Sequence, residues 1–192
     1  MERLTRNDIV AKLKEKREFR GLDLSDLDLS ELDLHNVDMR GASFRHANLT
    51  NSNLTSSDFR NANLEHATLI GTCLNKADLS GAELRHVNFT DAEMRDTKLA
   101  EAILGYAVMQ DLDLSGLDFS GSRSSYLQLS GADLTGANFS NALLMGADFS
   151  NAKLHNTNLS NAALAGSDFT DADVKGIILT GADLKDVKGL KT

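Results

Sequence analysis

The segment 130–150 repeats one five-residue phrase: Ser-Gly-Ala-Asp-Leu, Thr-Gly-Ala-Asn-Phe, Ser-Asn-Ala-Leu-Leu, Met-Gly-Ala-Asp-Phe, Ser. The same period runs from Phe19 to Leu184. Of the 34 residues at every fifth position, 21 are Leu, eight are Phe and three are Met, and the other two are Val174 and Ser124. All eight Phe of the chain lie in this register. These centre residues are therefore predicted to point into one continuous core.

A second inward position lies two residues before each centre. It holds Leu or Val near the start of the repeat and mostly Ala, Ser or Thr later. Inward residues on either side of one polar residue are typical of a short strand whose side chains alternate in, out and in. The two remaining residues form a corner, and 12 of the 14 Gly occupy its second position, where turn conformations are needed. Such units cannot bury their own apolar residues, so they are predicted to coil and stack about 4.8 Å apart.

Five outward rings recur every twenty residues, at His46, His66, His86, Tyr106 and Tyr126. If each coil has four sides, these rings form one vertical column, the ring ladder. Three interpretations are open: simple stacking, a partner-binding surface and a weak metal site. Against a metal site, vertical neighbours do not converge on one ion, and no carboxylate or Cys accompanies them at a recognised spacing. No metal site is predicted.

The phrases Ala-Asp-Leu-Thr-Gly, Ala-Asn-Phe-Ser-Asn, Ala-Asp-Phe-Ser-Asn and Ala-Asp-Leu-Ser-Gly resemble the A(D/N)LXX consensus of the pentapeptide-repeat family. The resemblance covers roughly residues 17–188. It implies an all-β fold, a right-handed four-sided (quadrilateral) parallel β-helix solenoid of about eight coils. The expected organisation is an N-terminal amphipathic capping helix over residues 1–18, followed by the β-helix over residues 19–192.

The segment from Leu4 to Arg17 has a helical pattern with Thr5 as the expected N-cap. Its narrow apolar stripe contains Ile9, Val10 and Leu13. The helix is predicted to cover the first end of the solenoid, as terminal repeats require. A contact with a membrane or a partner is the alternative.

The net charge of −8 is unevenly placed, with about +3 in residues 1–20 and about −11 beyond. This balance argues against nucleic acid as a direct partner, because phosphate binding needs clustered Lys and Arg. The single cysteine, Cys73, favours a reducing compartment. The sequence contains neither a membrane-spanning run nor a signal peptide. We therefore expect a cytoplasmic protein that does not contact a membrane.

Outward acidic residues form two groups, one in the first coil and one further along a single column. They are Asp23, Asp28, Asp33 and Asp38, then Asp58, Asp78 and Asp118, with Lys98 interrupting the column. Some relatives in the family are understood to engage DNA gyrase through such DNA-like charge. The alternative is that Asp serves only solubility and local hydrogen bonding.

Other outward positions are unexpectedly apolar, namely Ile103, Val108, Leu143, Met145 and Ile178. Groups of this kind can mark a protein contact. Ser124, the one polar centre residue, predicts a void and a local distortion. Near the C-terminal end, a homodimer contact is predicted at Ile177, Ile178, Leu179 and Leu184.

Neither a nucleophile–base pair nor a metal-ligand spacing occurs in the sequence, and a filled rod offers no concave site. The sequence therefore predicts no catalytic residues, no cofactor and no enzymatic activity. The predicted function is that of a rigid, non-enzymatic scaffold or regulator that binds another protein. The alternative is a DNA-mimicking modulator of topoisomerase (DNA gyrase), of the quinolone-resistance type.

Overall fold

The fold was analysed in a computed structural model that describes residues 4–190. Parallel β-bridges join outward residues that are twenty positions apart, beginning with Glu18–Asp38 and ending with Asp168–Lys188. In this series of described residues only the bridge between Glu93 and Asp113 is absent. One coil therefore contains twenty residues, or four five-residue sides. We number the sides 1 to 4 in chain order, so that Glu18, Asp23, Asp28 and Asp33 are the outward residues of sides 1, 2, 3 and 4 in the first coil.

The sides differ from the expected short strands in one respect. Within residues 4–190 the sides pair with their neighbours through isolated bridges, and no longer strand is formed. The reason is that only the outward residue and its immediate neighbours are extended before the chain turns at the next corner. Second corner positions have φ near +60°, whether they hold Gly or another residue.

The core is the column of inward residues along the rod axis. All centre residues from Phe19 to Phe169 are buried, and the smaller inward residues fill the spaces beside them. Several Phe rings contact each other between coils: Phe119 and Phe139 stack with centroids 4.4 Å apart. Phe139 also meets Phe149 edge-on at 6.2 Å.

One helix, α1 (Arg6–Glu15), precedes the coils. Thr5 is its N-cap and forms a capping box with Asp8. Ile9 is fully buried in the same apolar cluster as the coils, and Leu13 packs against that cluster. The Arg6 guanidinium donates hydrogen bonds to the carbonyl oxygens of Asp28 (2.8 Å) and Ser30 (2.7 Å). The helix therefore contacts the first coil through both apolar and polar groups. Within residues 4–190, no helix has the length and apolar character needed to cross a membrane.

The distortion predicted at Ser124 is absent, so that prediction was wrong. The Ser124 N–H donates to the Leu143 carbonyl at 2.8 Å, as in a regular coil. Its buried hydroxyl lies 2.8 Å from the Ser122 hydroxyl, so the two polar groups satisfy each other. Leu127 is fully buried at a position that usually holds a small residue, and its extra volume compensates for the missing Leu.

A cleft opens on side 4, between the coils that contain Met94 and Leu114. Elsewhere from Asp38 to Phe169, each side donates three regular backbone hydrogen bonds to adjacent coils. Within that range five such bonds are missing, all at this point: those from the N–H groups of Asp91, Met94, Asp96, Asp113 and Asp118. The cleft has a volume of about 330 Å³.

The volume of the inward residues accounts for the cleft. Leu112 and Leu117 occupy inward positions where the coil below has Ala92 and Thr97, and excess volume in a packed core forces backbone shifts. Bringing the two coils together at this point would crowd these inward side chains.

We expect the five unpaired amides to exchange with solvent at least about tenfold faster than regular amides, because each lacks a hydrogen bond worth up to about 1.5 kcal/mol. Hydrogen–deuterium exchange followed by NMR measures this directly. The matched controls are Leu74 and Lys76, which occupy the same positions as Met94 and Asp96 one coil earlier and are bonded. Equal protection of both sets would show that the cleft closes in solution.

Candidate protein-binding surface

The ring ladder lies at the corner between sides 2 and 3. Its five rings stack with centroid distances of 5.0, 4.6, 5.0 and 4.9 Å, in the order His46 to Tyr126. Neighbouring planes differ by at most 12°. The spacing is that of the coils, so the backbone repeat holds the rings in register. Their edges, rather than their faces, are presented along the rod.

The corner backbone directs these rings outward. Each ladder residue has φ between 57° and 60°, a conformation that bulky residues seldom adopt. The next residue in the column is Gly146, and a Cβ there would lie only 2.6 Å from Cε1 of Tyr126. Glycine therefore leaves room for the last ring to lie over the following coil.

A second column runs beside the lower part of the ring ladder. Glu65 pairs with Arg45 below it and with Arg85 above it, the latter at 3.7 Å. Burial by itself raises the pKa of Glu65, but the two guanidinium groups outweigh burial and the pKa is lowered. Glu65 therefore stays ionised, and the charges of this column are largely paired with one another.

The upper part of the ladder adjoins apolar side chains that the sequence predicted to be exposed. Tyr106 (47% exposed), Tyr126 (51%), Leu143 (43%) and Met145 (45%) are four of the six large apolar side chains that are exposed among residues 4–190. Ile103 and Val108 are half-buried beside them. Bridges align Ile103, Arg123 and Leu143 in one column on side 2. We call Ile103, Tyr106, Arg123, Tyr126, Leu143 and Met145 the corner patch.

The corner patch unites two groups that the sequence suggested separately. The twenty-residue period predicts each column, and the structure places the two columns around a single corner. The feature that sequence reasoning missed is the state of Arg123. Its exposed side chain makes no hydrogen bond or ion pair with any residue in the range 4–190.

The predicted acidic column on side 1 contains one cation, Lys98, and has two more, Arg40 and Arg60, beside it. Arg40 pairs with Asp38 (2.8 Å) and approaches Asp58 (3.4 Å). Arg60 pairs with Asp58 at 2.7 Å, and its hydrogen bonds lower the pKa of that carboxyl. Lys98 lies 3.6 Å from Asp78, whereas Asp118 accepts a bond from the Asn138 amide. The carboxylates from Asp38 to Asp78 are therefore paired with cations beside or above them.

The acids of the first coil also have local partners. Asp28 lies 3.7 Å from Arg6, and hydrogen bonds from Ser30 are the largest cause of its lowered pKa. Asp33 contacts the His35 ring at 2.6 Å, and Asp23 accepts a bond from the Ser25 N–H at 3.1 Å. The carboxylates of the first coil therefore do not form an unbroken negative surface.

At the C-terminal end of the described range, the inward side chains lose part of their cover. Val174, Ile177 and Leu179 are half-buried, and they line a cavity of about 680 Å³. Leu184 and Ile178 are 39% and 45% exposed. This end is the second apolar surface of the molecule.

No group of three or more His, Cys, Asp or Glu residues between 4 and 190 is arranged to hold a metal ion. The three His of the ring ladder stack along the rod axis, so their rings do not converge on one point.

The fold and its repeat define a class of protein: the chain belongs to the pentapeptide-repeat family. The family model described as "Pentapeptide repeats" matches in eight copies, over residues 18–45, 42–81, 62–99, 125–161 and 147–186. The family resemblance predicted from the sequence is thereby confirmed. Residues 100–124 lie between the matched ranges, and they include the upper wall of the cleft and much of the corner patch.

Two solved structures illustrate what the chain resembles. HetL, a pentapeptide repeat protein involved in heterocyst differentiation regulation from the cyanobacterium Nostoc sp. strain PCC 7120, is 27% identical over 97% of each chain, with a TM-score of 0.65. A trypsin-treated form of QnrB1, a plasmid-mediated fluoroquinolone resistance protein, is 19% identical over 88% of this chain and 85% of its own, with a TM-score of 0.51. No curated protein matches the chain in sequence.

Proposed function

We propose that this protein is a non-enzymatic regulatory scaffold that binds a protein partner through the corner patch. The observation behind the proposal is the concentration of exposed Tyr, Leu and Met around one corner of the rod. Tyr and Arg dominate the binding energy of many interfaces, and large exposed apolar groups at one place favour contact. The stacked ladder holds both Tyr rings rigidly, so little entropy is lost when they are covered.

The similarity to HetL supports a regulatory role. HetL is described as taking part in the regulation of differentiation, and the likeness extends over nearly the full length of both chains. Proteins of the pentapeptide-repeat family generally act as structural or regulatory scaffolds. A rigid wall on which a partner docks is the simplest way for such a rod to regulate another protein.

The test is affinity capture from the native host, followed by quantitative mass spectrometry. We expect Tyr106→Ala combined with Tyr126→Ala to reduce recovery of the specific partner at least about tenfold, since hot-spot residues cost 2 kcal/mol or more when truncated. The control is Lys76→Ala combined with Asn156→Ala. These residues occupy the same corner position with φ of 63° and 55°, but at the diagonally opposite corner. Equal loss in both variants would refute the proposal.

The topoisomerase alternative has weaker support. A DNA-like rod needs continuous negative charge. Here Lys98 interrupts the acidic column, and Arg40 and Arg60 lie beside it and offset the charge of its carboxylates. The likeness to QnrB1 concerns the fold. A supercoiling assay with DNA gyrase, with and without a quinolone, distinguishes the two functions: the scaffold proposal expects no change in gyrase activity.

We further propose that the rod has about eight coils and that α1 caps its first end. Burial of Ile9 against the first coil and the bonds from Arg6 to its carbonyls support this role. The free thiol of Cys73 fits the reducing cytoplasm in which we propose that the protein acts.

We propose that a second copy of the chain covers the C-terminal cavity near Ile177, Ile178, Leu179 and Leu184. The partly exposed inward residues there support a self-contact, because their burial would remove apolar surface from water. Multi-angle light scattering should show a dimer that Ile178→Asp converts to a monomer. A monomer for the unmodified chain at high concentration would contradict the self-contact and leave the scaffold proposal intact.

A further inference from the structure

Arg123 stands apart from most arginines of the rod. The arginines with a side-chain hydrogen bond or ion pair among residues 4–190 are Arg6, Arg17, Arg20, Arg40, Arg45, Arg60 and Arg85. Arg95 and Arg123 have neither within that range. Arg95 lines the cleft on side 4, where water reaches it. Arg123 lies on the opposite side, in the middle of the corner patch.

Apolar groups surround Arg123 on three sides. Its β-bridges place Ile103 directly below it and Leu143 directly above it. Tyr126 follows three residues later in the same coil, with its ring projecting from the corner. A partner that covers these side chains must also remove water from the guanidinium group. An unpaired buried charge is strongly unfavourable, so the partner has to supply an acceptor.

Resting on the proposed function, we infer that the partner presents a carboxylate bracketed by apolar side chains, and that this carboxylate pairs with Arg123. A guanidinium group is a planar fork that matches a carboxylate with two parallel hydrogen bonds. The apolar residues of the partner then cover Ile103, Leu143 and the edge of Tyr126. One contact thus combines charge complementarity with the burial of apolar surface.

Phosphate groups are a poorer match for this site. A phosphate or nucleic acid needs several free cations, but the neighbouring Arg45 and Arg85 are engaged by Glu65. The chain also has a net charge of −8, which repels a polyanion. A single carboxylate within an apolar face avoids both penalties.

The spacing of the column favours a helical partner segment. Ile103, Arg123 and Leu143 follow one another at the coil spacing, about 4.8 Å. Side chains three or four residues apart on a helix are about 5–6 Å apart, whereas alternate residues of a strand are about 6.6 Å apart. An acidic residue with apolar residues three or four positions away on each side therefore fits the column best.

Selection from a displayed library of random peptides tests the inference without the natural partner. The full-length chain is immobilised, and enriched peptides are synthesised and titrated by fluorescence polarisation. We expect enriched peptides to contain Asp or Glu flanked by apolar residues at helical spacing. Arg123→Glu should raise their Kd at least about tenfold, as removing one member of a close charge pair does. In Arg95→Glu, which makes the same charge change on the opposite side, Kd should change less than about twofold.

A charge reversal completes the experiment. Changing the acidic residue of an enriched peptide to Lys should abolish binding to the unmodified chain and restore binding to Arg123→Glu. Enrichment of peptides without an acidic residue would overturn the inference, as would an unchanged Kd in Arg123→Glu. If the peptides instead ignore Tyr106→Ala combined with Tyr126→Ala, the proposed function itself fails. Dependence on the tyrosines without dependence on Arg123 would refute only the carboxylate partner.

Discussion

Phe139→Ala is expected to lower the free energy of unfolding by about 3–5 kcal/mol, the range for removing a buried Phe side chain. Phe139 is fully buried, stacks on Phe119 at 4.4 Å and meets Phe149 at 6.2 Å. Its loss therefore leaves a cavity between two rings in the middle of the rod. In a solenoid each coil is stabilised by its neighbours. A weakened interface in the middle of the rod is therefore expected to make unfolding less cooperative. Urea unfolding monitored by circular dichroism measures the change.

The repeat itself supplies the control, since Leu occupies most centre positions. We expect Phe139→Leu to cost less than about 1.5 kcal/mol, because another apolar side chain of similar size still fills the site. If Phe139→Ala destabilised the protein no more than Phe139→Leu, the central ring contacts would not contribute to stability as inferred.

Ile9→Ala is expected to lower the free energy of unfolding by about 2–5 kcal/mol, because it removes a fully buried side chain. Ile9 is the buried residue of α1, and its loss would detach the helix from the first coil. The first coil would then expose unpaired backbone and apolar surface, which promotes association between edges. We therefore expect aggregation on heating as well as a lower midpoint of urea unfolding.

Lys14→Ala is the matched control on the exposed face of the same helix. It should change stability by no more than about 0.5 kcal/mol. An equal, small effect of both substitutions would show that α1 contributes little to the stability of the rod and would contradict its role as a cap.

Residues 100–124 contribute to both irregular features of the rod, the cleft and the corner patch. The family model does not match them, and they contain Leu112 and Leu117, whose volume accounts for the cleft on side 4. They also contribute Ile103, Tyr106 and Arg123 to the corner patch on the opposite side. This segment therefore alters two opposite sides of the rod. Hydrogen–deuterium exchange at the cleft, measured with and without a partner on the corner patch, would compare binding on side 2 with opening of the cleft on side 4.

The repeated phrase of 130–150 by itself determined the family, the inward register and the position of each corner. This was possible because a five-residue unit that cannot bury its own apolar pair has to stack, and stacking fixes which residues face inward. The twenty-residue recurrence from His46 to Tyr126 likewise predicted a stacked column. Both inferences rest on periodicity, which is a property of the sequence alone.

Only the tertiary structure decided how well successive coils fit. Whether Leu112 fits above Ala92, or Leu117 above Thr97, depends on the summed volumes of side chains that are twenty residues apart and on the space that their neighbours leave. The same dependence explains why Ser124 causes no distortion: Ser122 satisfies its hydroxyl and Leu127 replaces the missing volume. Arg123 is unpaired because its vertical neighbours are Ile103 and Leu143, whereas Arg60 lies between carboxylates. Packing and charge pairing are properties of neighbouring coils together, so the repeat of one phrase cannot determine them.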